Sequence, residues 1–334
     1  MPIDRAVRKQ RFFSRWISRA VILVTAGIFS GSLYAANAAP ASTPRLVIYL
    51  PNYKGVAWSG YAGSISFTKM THLNLAFGNP PKCKGNCTAG SDTTFSINGQ
   101  SDADVDAVVS AAHAAGVKVV LSIGGGGGDQ LILQFYNAGL SQPLVDSLDR
   151  YMKAHKIDGV DVDIEDPSNM GAPFATFVNT LVTKFRPQGK LITAAVAQYL
   201  QGSIPSSALH QFDFINVMNY SSLASATTQL EYYVNQCHVP KDQIVLGVPF
   251  FGSTADDSKE EDYKTIYAAY PNAWQVDMVG GGSLDDGKAF RYAGEDTMKQ
   301  ETLLGKQYGG IMIWEMMGDA PAPHSLLAII QNNL

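Results

Sequence analysis

The stretch Asp158–Glu165, read Asp-Gly-Val-Asp-Val-Asp-Ile-Glu, constrains this chain more than any other. Asp161, Asp163 and Glu165 alternate with Val162 and Ile164, which is the two-residue period of a β-strand. In a strand the three carboxylates share one face and the two apolar side chains the other. Burying such groups costs several kcal/mol each unless they are paired or protonated. An exposed acidic edge strand and a calcium loop are the alternatives. A calcium loop of the EF type needs a glycine at its sixth position and a distal glutamate; here Gly159 is second and the strand pattern continues. The row reads as catalytic.

Around it, apolar runs recur at 45–50, 72–77, 117–123, 159–165, 191–197, 214–218, 244–249 and 310–314. Helical spacing lies between them. Val105, Val108, Val109 and Ala112 form one stripe in 102–115, Leu144, Leu148 and Met152 another in 144–155, and 174–185 and 227–237 behave alike. Eight strands alternating with helices, each strand a continuous apolar run, predict a parallel sheet covered by helices. The expected fold is a closed (β/α)8 barrel of the α/β class. A doubly wound sheet is the alternative, but the first strand leads into Pro51-Asn52-Tyr53 instead of a glycine-rich phosphate turn. The run Gly124–Gly128 lacks a following Gly-Lys-Ser/Thr, so it reads as a place of close backbone approach. In such a barrel the chemistry lies at the C-terminal strand ends, which would gather Glu165, Tyr220 and Trp314 at one mouth.

The N-terminus has the pattern of a secretory signal peptide, expected over 1–38: a basic leader, the apolar run 20–29 and small residues at 35–39. An uncleaved anchor is the alternative. Removing a leader of six basic residues and one acid takes the formal charge from −4 to −9. An acidic mature protein without a basic stripe excludes nucleic acid as a natural partner and suits a neutral substrate. Cys83 and Cys87 read as a local disulfide in an exported chain, and Cys237 as a buried thiol. His72, His113, His155, His210 and His238 show no metal-ligand spacing, so no metal or other cofactor is expected.

With these residues in hand, the chain resembles glycoside hydrolase family 18, the chitinases and their relatives. The family's Asp-x-x-Asp-x-Asp-x-Glu motif on strand four matches at Asp158, Asp161, Asp163 and Glu165. Its Ser-x-Gly-Gly motif matches at Ser122, Gly124 and Gly125, its Met-x-Tyr motif at Met218-Asn219-Tyr220, and its strand-eight tryptophan at Trp314. Two departures stand out. Ser221 follows the tyrosine where the family often has Asp, and 252–308 is too short for the full α+β insertion many chitinases carry after strand seven. The expectation is one catalytic barrel over 44–334 with an open cleft.

Glu165 is the expected general acid, held protonated by like-charge repulsion from Asp163. The resemblance implies substrate assistance: the 2-acetamido carbonyl attacks the anomeric carbon, Asp163 orients the amide, Tyr220 donates to the acetamido oxygen, and Asp161 acts on Asp163 from below. Trp314 is the expected apolar floor for a sugar ring. Met218, Asn219, Gln198, Tyr49, Phe77, Gly124 and Gly125 complete the expected substrate contacts, with Tyr53, Trp58 and Trp274 as outer platforms. The implied protein is a secreted, monomeric, endo-acting chitinase acting on chitin or N-acetylglucosamine oligosaccharides, free of the membrane once its leader is cleaved. An endo-β-N-acetylglucosaminidase of N-glycan cores and a non-catalytic chitin-binding lectin are the alternatives.

Overall fold

A computed structural model describes residues 43–280 and 287–334. The expected leader, 1–38, lies outside the described residues. Eight parallel strands close into a barrel: β1 (Arg45–Pro51), β2 (His72–Ala76), β3 (Lys118–Gly124), β4 (Gly159–Asp163), β5 (Leu191–Ala197), β6 (Phe214–Met218), β7 (Ile244–Pro249) and β8 (Gly310–Trp314). Each pairs with its neighbours in sequence, and β8 returns to β1 through Arg45↔Gly310 to Ile48↔Ile313. All eight expected strands are present. Ladder pairing on β4 stops at Asp163, so Glu165 stands just beyond the strand end instead of within it.

Period-two alternation sorts the strand residues into two layers. Leu46, Ile48 and Leu50 on β1, and Val160 and Val162 on β4, join the apolar layer between barrel and helices. Val47, Tyr49, Phe214, Val245 and Met312 pack together in the lumen. The four expected helices form over Asp102–Ala114, Ser141–Ala154, Ala172–Phe185 and Leu223–Asn235. Asp102–Ala114 shows why its start is well defined. The Ser101 hydroxyl accepts from the Asp104 N–H, while the Asp104 carboxylate accepts from the Ser101 N–H at 2.9 Å. Helices over Asp129–Asn137, Tyr263–Ala269, Glu295–Gly305 and Leu326–Asn333 also form and were not expected. Among the described residues no helix is long and apolar enough to cross a membrane.

Two excursions flank the barrel mouth. Between β2 and the next helix, Gly78–Asn79 pairs with Ser96–Ile97, and the expected disulfide Cys83–Cys87 pins the loop between them. Between β7 and β8 a four-stranded antiparallel sheet has Phe251–Thr254 and Ala289–Arg291 inside, flanked by Glu260–Asp262 and Met278–Gly280. The connection after β7 therefore holds a small sheet and the helix Tyr263–Ala269, and no full inserted subdomain among the described residues.

Helix Glu295–Gly305 contains an acid that weakens the fold at high pH. Glu301 is 2% exposed, its Oε2 has no hydrogen-bond partner among the described residues, and burial with the charge of Asp277 raises it to about 8 from 4.5. The folded state thus keeps a proton that the unfolded chain releases, so stability falls as pH rises from about 4.5 to about 8. Glu301→Gln should melt with the wild type at pH 4 and several degrees above it at pH 8, a gain of up to about 4 kcal/mol. Thermal unfolding at the two pH values checks this, and a constant offset would contradict it.

Candidate active site

Asp161 sits in the lumen with no exposed surface, and four strands besides its own supply its hydrogen bonds. Tyr49 on β1 donates at 2.7 Å, Ser122 on β3 at 2.8 Å, Thr193 on β5 at 2.6 Å and Asn216 on β6 at 3.3 Å. Burial raises this carboxyl, and the hydrogen bonds pull it back toward the ionised form. A buried carboxylate with four donors carries its charge at modest cost.

One layer up, Asp163 is in register with Gly124, is 3% exposed and keeps an Oδ1 without a partner among the described residues. Burial, then the charges of Glu165 and Asp161, hold Asp163 well above the ordinary carboxylate range. Burial raises Glu165 too, against a hydrogen bond from the Tyr199 hydroxyl that favours its charged form. Two interacting carboxyls in this setting do not both ionise at neutral pH, so the pair holds one proton. Tyr220 packs edge-to-face on Phe251 at 5.5 Å. Burial and the charges of Asp163 and Glu165 push its hydroxyl well up, so it remains a protonated donor.

Aromatic rings floor the mouth. Trp314 stacks on Phe77 at 5.6 Å, meets Tyr49 edge-on at 5.4 Å and lies 6.5 Å from Tyr53. Lys54 reaches Asp262 at 2.6 Å and Glu315 at 3.0 Å, tying the small sheet to the end of β8. On one side lies a cavity of about 790 Å³ lined by Asn52, Tyr53, Phe77, Asn98, Gly126 and Trp314. On the other, about 350 Å³ is lined by Glu165, Gln198, Tyr199, Met218, Tyr220 and Ser221. The arrangement can give up one proton, donate one phenolic hydrogen bond and support an apolar ring face.

The family model described as Glycosyl hydrolases family 18 matches residues 45–319. The chain belongs to this family. A chitinase-like effector of Moniliophthora perniciosa is 34% identical over 110 residues, covering 33% of this chain and 24% of that protein. Chitinase 2 of Rhizopus oligosporus is 34% identical over 130 residues, covering 34% of this chain and 22% of that protein. The matches thus span less than a quarter of either fungal protein's length. Among solved structures, the GH18 chitinase ChiB of Flavobacterium johnsoniae superposes with a TM-score of 0.74 at 27% identity, covering 87% of this chain and 94% of that one.

Within this family 18 site several expected contacts are placed differently. Asn219 is fully buried; it donates to the Ser222 carbonyl at 3.2 Å and accepts from Gln229 at 3.1 Å, so its amide anchors the loop after β6 and does not face the cleft. Tyr49 is 1% exposed and supports Asp161 and Trp314 from beneath. A Cβ on Gly124, at φ +96°, would lie 2.2 Å from the Asp163 carbonyl oxygen, and one on Gly125 2.4 Å from the Phe77 ring. Both glycines serve close packing of the loop after β3, although Gly124 also borders the larger cavity. Trp58 is core, with its indole donating to the Pro51 carbonyl at 3.1 Å, and Trp274 stacks on His324 at 4.5 Å. Cys237 is half-buried instead of buried. Asp158 lies at the start of β4 and accepts from His113 at 2.8 Å and from the Val119 N–H at 2.9 Å, a fastening role below the chemistry. Gln198, Met218, Phe77, Tyr53 and Trp314 do line the mouth.

Thr193, Asn216 and Tyr199 escaped the sequence reading. Thr193 and Asn216 left a signal, since each is a lone polar residue inside an apolar strand. Tyr199 left none: it stands in the short turn Gln198–Leu200 and belongs to no apolar run or stripe.

Proposed function

We propose that this chain is a secreted, endo-acting chitinase that cleaves β-1,4-linked N-acetylglucosamine polymers with retention by substrate assistance. The observation that carries the reading is the carboxyl pair Asp163–Glu165 at the end of β4, with Asp163 buried and one of its oxygens without a partner among the described residues, in a mouth lined by Tyr220 and floored by Trp314. Both acids project from one end of one strand, so neither stands across the scissile bond as the nucleophile of a two-carboxylate enzyme. The nucleophile then comes from the substrate. Asp163 accepts the amide N–H of the sugar over Trp314, and Tyr220 donates to its carbonyl oxygen. Drawing Asp163 into that hydrogen bond favours its ionised form and shifts the shared proton to Glu165. Glu165 protonates the glycosidic oxygen, the C1–O bond breaks, and the carbonyl oxygen closes on C1 as an oxazolinium. Glu165 then takes a proton from the water that opens it, which regenerates the acid.

The named chitinases among the relatives support this reading, as does the Cys83–Cys87 disulfide for an exported protein. A second reading, a chitin-binding protein without turnover, draws on the relative named a chitinase-like effector; the intact Asp163 and Glu165 favour hydrolysis. Incubating the protein with N-acetylglucosamine tetramer to hexamer should release shorter oligomers whose new reducing ends are β-configured. Release of α-configured ends would refute the retaining mechanism. Cleavage of an N-glycoprotein core in place of the oligomers would make the protein a glycan-releasing enzyme, and binding without cleavage of either would leave the lectin.

A further inference from the structure

Two residues outside the four family motifs act on the expected acid. Tyr199, in the helical turn Gln198–Leu200 after β5, is 56% exposed, and its hydroxyl donates to Glu165 Oε2. Asp129 opens helix Asp129–Asn137, is 7% exposed, accepts from the Gln130 N–H at 2.7 Å and presents its charge to Glu165. One therefore holds the end of the acid's side chain and the other sets a second negative charge near it.

We propose that Tyr199 and Asp129 act on Glu165 in opposite senses: Tyr199 is a positioning residue that anchors its carboxylate from the small cavity, and Asp129, at the start of the helix after β3, presents a second negative charge. The inference rests on Glu165 being the acid named above.

Glu165 lies past the last ladder pair of β4, so its carboxylate depends on the Tyr199 hydroxyl for a fixed position. The titratable groups facing Glu165 are Asp163 from β4, Asp129 from the helix after β3, Tyr199 after β5 and Tyr220 after β6. Of these, a hydroxyl donating to the carboxylate stabilises its ionised form, and a nearby carboxylate destabilises it. The balance sets the pH at which Glu165 still carries the proton that the leaving oxygen needs. Tyr199 also borders the cavity beside Glu165.

The test is a carboxyl ¹³C NMR titration of Glu165 in the full chain, with the resonance assigned by its loss in Glu165→Gln, beside kcat/KM against pH on an N-acetylglucosamine oligomer. Tyr199→Phe should move the Glu165 midpoint and the alkaline limb up by roughly half to one pH unit. Asp129→Asn keeps an acceptor for the Gln130 N–H but removes the charge, and should move both down by a similar amount. A packing role alone would leave both midpoints at the wild-type value. Coincident midpoints, or shifts of the same sign, would overturn the proposal. A wild type that titrates as described yet cleaves no oligomer would refute the hydrolase reading while leaving the titration to decide this one.

Discussion

Glu165→Gln should lower kcat on N-acetylglucosamine oligomers by roughly 10³-fold while leaving the melting temperature unchanged or slightly raised. Glutamine has nearly the shape of glutamate and keeps an oxygen to accept from Tyr199, so the mouth should stay assembled. What it lacks is a transferable proton. A sugar alkoxide leaves poorly without one, so bond breaking loses its largest assistance while sugar binding on the Trp314 floor is untouched. The loss should appear in kcat, with KM little changed. An aryl N-acetylglucosaminide, whose leaving group departs without protonation, should lose much less in the bond-breaking step. Removing one member of a repelling carboxyl pair also relieves Asp163, which accounts for the direction expected in thermal unfolding. Near-normal turnover of oligomers by this variant would remove Glu165 from the role of acid.

Asp161→Ala should be the most destabilising single change at the site, at about 3–5 kcal/mol. It strips the common acceptor from Tyr49, Ser122, Thr193 and Asn216, all of them without access to water, and opens a void in the middle of the barrel. Asp161→Asn retains the volume and one acceptor oxygen, so it should cost less stability. It also removes a negative charge from beneath Asp163 and thereby eases ionisation of the pair, which should lower the alkaline limb of kcat/KM. Urea or thermal unfolding of both variants checks the order. If alanine and asparagine were equally mild, the four hydrogen bonds would not be what carries this charge.

Much of the fold was legible because its signals are local. Continuous apolar runs mark strands buried on both faces, and all eight strands, with the four expected helices, form where the runs and stripes lie. The carboxylate row was legible for the same reason: a period of two puts Asp161 and Asp163 on one common face of their strand. Asn219 shows where that reasoning stops. It follows a strand end as a cleft residue would, yet Ser222 and Gln229 consume its amide, and only the path of the helix Leu223–Asn235 brings Gln229 there. Tyr49 likewise points into the lumen as its position demands, but at the depth of Asp161 and not of the mouth.

By itself the amino-acid order determined the strand periods, the alternation of strands with helices, and the motif residues that identify the chemistry. Tertiary structure decided which side chains meet. Asp161 finds its donors on β1, β3, β5 and β6, up to 112 positions away in the chain, because closing the barrel turns those faces toward one axis. Tyr199 reaches Glu165 because the loop after β5 converges on the end of β4. A two-residue period states which way a side chain points; the partner at the other end of that direction depends on closure and stagger, which no short stretch of sequence encodes.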